Sequence, residues 1–173
     1  MINEVLKQLL RLVLLLFIQV LIINNINLSP YVNPYIYVLL LMMMRVNVPK
    51  AQSLLIGFGL GMLMDVFSST VGIHTFATTL VGYIRPRFLA LSLNKEDFDG
   101  NIEPNIANKG FVWFFTYAFS IIFVHSLALF FLEVYSMKEF FATMQRVLYS
   151  TGVTLMMIVL GQFLFFTVKP SHD

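Results

Sequence analysis

The chain has 173 residues and a formal net charge of +2; 58% of it is hydrophobic and only 12% charged. A typical soluble domain is about 45–50% apolar and about 25% charged, and a soluble chain of this size cannot hide so much apolar surface. These figures argue against a soluble enzyme, a nucleic-acid reader and, with no cysteine present, a disulfide scaffold. They point to a single all-α integral membrane domain, since six helices of about 20 residues would use most of the length.

Lys7 and Arg11 precede an apolar run from Leu12 to Ile23 broken only by Gln19. A basic start before a short apolar stretch is also how a secretory signal begins. No small-x-small cleavage pattern follows, however, and further spans come directly after Asn24–Pro30. We read an uncleaved first span over 4–25. The second segment, 31–45, has a strongly apolar part only from Pro34 to Met44, short enough to be re-entrant or interfacial. Pro34 suits a first helical turn, and the charge pattern below favours a span.

Pro49 opens a third span at 51–67, a Ser68-Ser69-Thr70 turn follows, and a fourth span covers 72–91, with Arg85-Pro86-Arg87 where it nears water. The polar stretch Asn94–Lys109 reads as a loop. The fifth and sixth spans are expected at 111–132 and 145–168. With the N-terminus in the cytoplasm, nine of the eleven basic residues fall inside: Lys7, Arg11, Arg45, Lys50, Arg85, Arg87, Lys95, Lys109 and Lys169. Lys138 and Arg146 fall outside. Such an excess is the rule for short cytoplasmic loops and predicts six spans with both termini inside. No internal repeat is evident.

The third and fourth spans carry the most informative pattern. Gly57, Gly61 and Asp65 share one helix face, and His74, Thr78 and Gly82 share another. Folded antiparallel, Asp65 meets His74, Gly61 meets Thr78 and Gly57 meets Gly82. Small residues let backbones approach in lipid, and an Asp65–His74 side-chain hydrogen bond would satisfy two groups that are costly in hydrocarbon. We expect a hairpin lock; a partner or ligand contact is the alternative.

Other polar residues have plainer expectations. His125 next to Ser126 invites a hydrolase reading, but adjacent side chains on a helix diverge by about 100°, so a histidine bonded to a neighbouring helix is preferred. Glu133 and Glu139 read as solvated interface charges. Arg85 and Arg87 read as cytoplasmic-interface anchors, or as contacts to anionic headgroups. Tyr31, Tyr35, Tyr37, Trp113 and Tyr117 fit an aromatic belt, and Met42-Met43-Met44 and Met156-Met157 fit soft core packing. No catalytic, cofactor or metal site is expected.

The ordered block Asn33-Pro34-Tyr35, Pro49, Gly57-Phe58-Gly59-Leu60-Gly61, Asp65, Gly72-Ile73-His74 and Arg85-Pro86 resembles the MreD family of rod shape-determining proteins. The motif covers residues 33–87, and the segment order agrees over nearly the whole chain. The resemblance implies a non-enzymatic protein of the bacterial inner membrane. It implies MreC as partner, with MreB and a RodA-type synthase and its penicillin-binding protein in the same cell-elongation complex. It also implies a helical fold similar to the substrate-binding subunits of energy-coupling-factor transporters.

Three functions follow for testing. The first is a membrane scaffold whose hairpin, made compact by the Gly57/Gly61 face, supports a groove for MreC's single helix. The second is a small-molecule-binding subunit of the energy-coupling-factor type. The bulky run Leu12–Ile18 argues against it, and a polar pocket near the outer surface would argue for it. The third, a membrane enzyme, fails because nucleophile, base and stabiliser do not converge.

Overall fold

The computed structural model describes residues 2–25, 31–134 and 139–165, with side chains from residue 10 to residue 164 within those ranges. The side chain of Lys7, and Lys138 and Lys169 entirely, lie outside them. The described residues are helical, with no strand. Helix α1 (Ile2–Phe17) continues as π and 3-10 turns to Asn25. A 3-10 turn at Ile36–Val38 leads into the four-residue α2 (Leu39–Met42). Then come α3 (Lys50–Ser68), α4 (Ile73–Ser92), the short α5 (Lys95–Asp99) and α6 (Ile106–Lys109), α7 (Phe111–Val134) and α8 (Phe140–Phe165).

Among the described residues, α3, α7 and α8 are long and apolar enough to cross a membrane. Helix α4 matches them in length but carries His74, Arg85 and Arg87. The helices fall close to the expected limits, apart from α8, which begins five residues earlier than read.

The second segment departs from expectation. Its continuous helical part, Ile36–Met42, is seven residues, a rise of roughly 12 Å against a hydrocarbon core of about 30 Å. The rest of 31–45 is irregular backbone. Such backbone is tolerated at membrane depth only inside protein, and Tyr37, Val38, Leu41 and Met42 are fully buried. The segment is the centre of the core, with α3, α4, α7 and α8 packed around it.

The stretch Asn94–Lys109 also differs from the expected loop, because its polar residues satisfy one another. Asp97 accepts from the backbone N–H of Asn94 in a capping box at the start of α5. Asn105 caps α6 by accepting from Asn108 N–H at 2.8 Å. Lys109 pairs with Asp97 at 2.8 Å, and Arg11 reaches both oxygens of Glu103 at 3.1 Å. Val46 N–H donates to the Ile102 carbonyl, fastening this stretch beneath the second segment.

Candidate functional site

The α3–α4 hairpin turns through two left-handed residues, Ser69 at φ 54° and Gly72 at φ 81°. The N–H groups of His74 and Thr75 lie in the first turn of α4, where no helical partner exists. Asp65, near the end of α3, supplies one. Its carboxylate accepts from His74 N (3.0 Å), Thr75 N (2.9 Å), and the hydroxyls of Thr70 and Thr75 (2.6 Å each). This is an N-cap delivered from the preceding helix, with a negative charge at the positive end of the helix dipole.

The expected Asp65–imidazole hydrogen bond is therefore not made: Asp65 meets the His74 backbone, and the ring faces elsewhere. The glycine pairing differs too. A Cβ on Gly57 would lie 2.6 Å from the Thr78 carbonyl oxygen, and one on Gly82 2.5 Å from that of Ser53. One on Gly61 would strike Thr75, the His74 carbonyl and the Thr78 hydroxyl. Each glycine thus faces backbone, and Gly57 and Gly82 sit about one helical turn out of the expected pairing. Helical side chains lean toward their own N-terminus, so the Asp65 carboxylate grips α4 at the level of Gly61, and that offset sets the register. The Gly57/Gly61 face is filled by α4, so it is a packing face within this chain, as the hairpin pairing expects.

The imidazole of His74 contributes to a second cluster. The Tyr37 hydroxyl lies 2.9 Å from His74 Nδ1 and 2.8 Å from His125 Nε2. All three residues are buried, and the ring of Tyr35 stands edge-on to both imidazoles, 5.4 and 5.7 Å between centroids. A phenol has one proton to give, so it donates to one histidine and accepts from the N–H of the other. His125 Nδ1 is left buried without a hydrogen-bond partner. The cluster ties the second segment to α4 and α7 at one point, and His125 does bond to a neighbouring element as expected.

Both flanks of the second segment are fastened in the same manner. On one side, Gln19 in the π-helical turn after α1 accepts from Ile36 N–H (2.8 Å) and donates to the Pro34 carbonyl (3.0 Å). The hydroxyls of Ser150 and Thr154 in α8 accept from Asn33 N–H and Tyr35 N–H at 3.0 and 3.1 Å. On the other side, Tyr117 donates to the Met42 carbonyl at 3.1 Å and accepts from Arg85 Nε at 3.1 Å. Arg85 also donates to the Met44 carbonyl.

Arg85 is fully buried, which corrects its reading as an interface anchor: it is the C-terminal cap of the broken segment. Arg87 is exposed, stacked 3.7 Å over the Tyr83 ring, as an anchor would be. Tyr37 and Tyr117 leave the aromatic belt for the interior, and of the methionines expected in the core Met42, Met43 and Met44 are buried whereas Met156 is exposed.

Where α3 turns into α4, the ends of α7 and α8 and the first segment enclose a polar cavity of about 450 Å³. His74 and Tyr35 line its wall together with Asn24, Asn25, Glu133 and Arg146. Glu133 and Arg146 are paired at 3.1 Å, so Glu133 is a partnered wall residue. An apolar cavity of about 340 Å³ lies between α1, α2 and α8. Among the described residues, no group of three metal-ligating side chains converges.

Sequence reading missed Gln19, Ser150, Thr154 and Gln162. Their signal was polar side chains recurring on one face of otherwise apolar helices: positions 150, 154 and 162 are spaced by whole turns, and all four are buried. Comparison of the chain with protein-family models, with curated proteins and with solved structures gives no match.

Proposed function

We propose that the chain is a non-enzymatic, six-pass scaffold of the bacterial inner membrane, with both termini in the cytoplasm, serving the cell-elongation machinery. Its partners are MreC and, through it, MreB and a RodA-type synthase with its penicillin-binding protein. The observation that carries this reading is how the polar interior is used. Asp65 is saturated by four donors, Arg85 and Tyr117 are committed to carbonyl groups, and Tyr37 is shared by two histidines. These groups fix shape, which is what a rigid platform for other membrane proteins requires. The MreD resemblance supplies the identity of the partners.

With its glycine face occupied by α4, the hairpin offers MreC's helix the opposite side of α3. There Leu55, Phe58, Met62 and Val66 are exposed and Gly59 has open space around it. The experiment is copurification from native membrane, followed by a photocrosslinking scan at those four positions and along α7 and α8. MreC captured at the α3 positions supports the proposal. MreC captured only by α7 and α8 overturns the docking face, and copurification without any elongation protein overturns the function.

One observation favours a second reading, a small-molecule-binding subunit of the energy-coupling-factor type: the polar cavity of about 450 Å³ is of ligand-binding size. On the six-span layout it lies at the outer end. Copurification with an ATP-driven transport module, together with ligand-dependent thermal stabilisation, would favour this reading over the scaffold.

A further inference from the structure

The polar cavity has a chemistry that can be read from what its walls have left unspent. Its one carboxylate and one guanidinium, Glu133 and Arg146, already neutralise each other at 3.1 Å, and Arg146 is further held over the Phe130 ring at 4.5 Å. The Asp65 carboxylate behind the wall is filled by its four donors. Among the described residues, neither a cation nor an anion would therefore find an unpaired countercharge in the cavity wall.

The uncommitted groups are neutral. Asn24 uses its Oδ1 to accept from Gln19 at 2.9 Å, which leaves its NH₂ as a donor. Asn25 spends its NH₂ on the carbonyls of Val20 and Leu21, which leaves its Oδ1 as an acceptor. His74 is 4% exposed, its Nδ1 is fixed by Tyr37, and among the described residues its Nε2 has no hydrogen-bond partner. A buried imidazole whose Nδ1 is fixed from behind and whose other nitrogen opens on the cavity is a directional site for a ligand.

We propose that this cavity binds a small uncharged molecule rich in hydroxyl and amide groups, held by Asn24, Asn25 and His74. The inference rests on the second reading for its setting, but names the ligand class that reading leaves open. Its volume falls within the range of about 300–1,000 Å³ usual for small-molecule sites, and donors and acceptors that would be left unpaired by an apolar occupant give the selectivity.

The test uses the full chain in lipid nanodiscs with ¹⁵N-labelled histidine. The probes are N-acetylglucosamine, glucose and inositol, set against glycine and inorganic phosphate. The proposal expects a saturable rise in Tm with at least one uncharged probe and movement of the His74 ring resonance. It also expects Ser68→Phe, which projects bulk into the cavity without removing any hydrogen bond described above, to abolish both. A response to glycine or phosphate alone overturns the ligand class. No response to any probe, or an unchanged response in Ser68→Phe, overturns the site. Uncharged-probe binding by a chain that copurifies with no ATP-driven module supports the site while refuting the transporter reading, so the two fail separately.

Discussion

The α3–α4 hairpin and the second segment solve one problem in opposite ways. Both place backbone polar groups where water is scarce, and every such group left unpaired costs about 1–3 kcal/mol. The hairpin keeps its backbone in regular helices and brings them together on glycine, with one side chain, Asp65, closing the exposed helix start. The second segment abandons regular structure over much of its length, and its N–H and carbonyl groups are met by side chains from the π-helical turn after α1 and from α4, α7 and α8. The hairpin is therefore largely self-sufficient, while the second segment depends on the rest of the bundle being in place.

That contrast predicts where substitutions cost most. Arg85→Met orphans the carbonyl it caps and removes the donor to the Tyr117 hydroxyl, which keeps its own bond to the Met42 carbonyl; it should destabilise the chain by about 3 kcal/mol or more, read as loss of folded protein in a detergent melting series. Arg85→Lys should restore only part of this, because an ammonium lacks the planar fork that reaches both groups. Asp65→Ala strands the first N–H groups of α4 and should cost about 3 kcal/mol. Asp65→Asn, which keeps one acceptor, should cost less, and equal losses from the two would break the capping account.

Within the hairpin, Gly61→Ala should cost about 1–3 kcal/mol by overpacking, because its Cβ has nowhere to go. Gly59→Ala, with open space around it, should be neutral or stabilising by up to ~1 kcal/mol from helix propensity. Equal effects at both glycines would show that close backbone approach does not hold the hairpin. The smallest effect belongs to the peripheral stretch 94–109. The hydrogen bond from Lys109 holds the Asp97 carboxyl below the usual carboxylate range. Its contribution is thus fully present above the unfolded value near 4 and is lost as pH falls through the lowered folded value. For a half-buried pair at the periphery this is about 1 kcal/mol, measurable as a small acid-side drop in Tm that Lys109→Met removes.

The same contrast explains what the sequence made legible. Helix-period glycines, Asp65, Pro49 and the Ser-Ser-Thr turn are local signals, and they located the hairpin to within about two residues. Its register was read one turn off because the pairing was drawn from backbone positions, whereas the Asp65 carboxylate reaches back along its helix before gripping α4. The short apolar run of the second segment, Pro34 to Met44, signalled a possible break, but nothing local signalled what would hold an irregular backbone. Its hydrogen-bond partners are scattered from Gln19 to Thr154, and each looks like an isolated polar residue in an apolar run. Arg85 was misread for a related reason: near the end of a span, an arginine that caps a buried segment has the same local sequence as one that anchors to headgroups. The cavity likewise forms from five distant chain segments, and only His74 among its key residues had been singled out as part of a candidate site.

The central claim is that polar side chains of the surrounding helices hold the second segment in its irregular path. Site-resolved hydrogen exchange at Asn33, Tyr35 and Ile36, with the chain in nanodiscs, tests it most directly. The account predicts strong protection in the native chain and its selective loss in the combined variant Gln19→Leu, Ser150→Ala, Thr154→Val, with the amides of α3 and α4 still protected. Protection at those three amides that survives the triple substitution would contradict it.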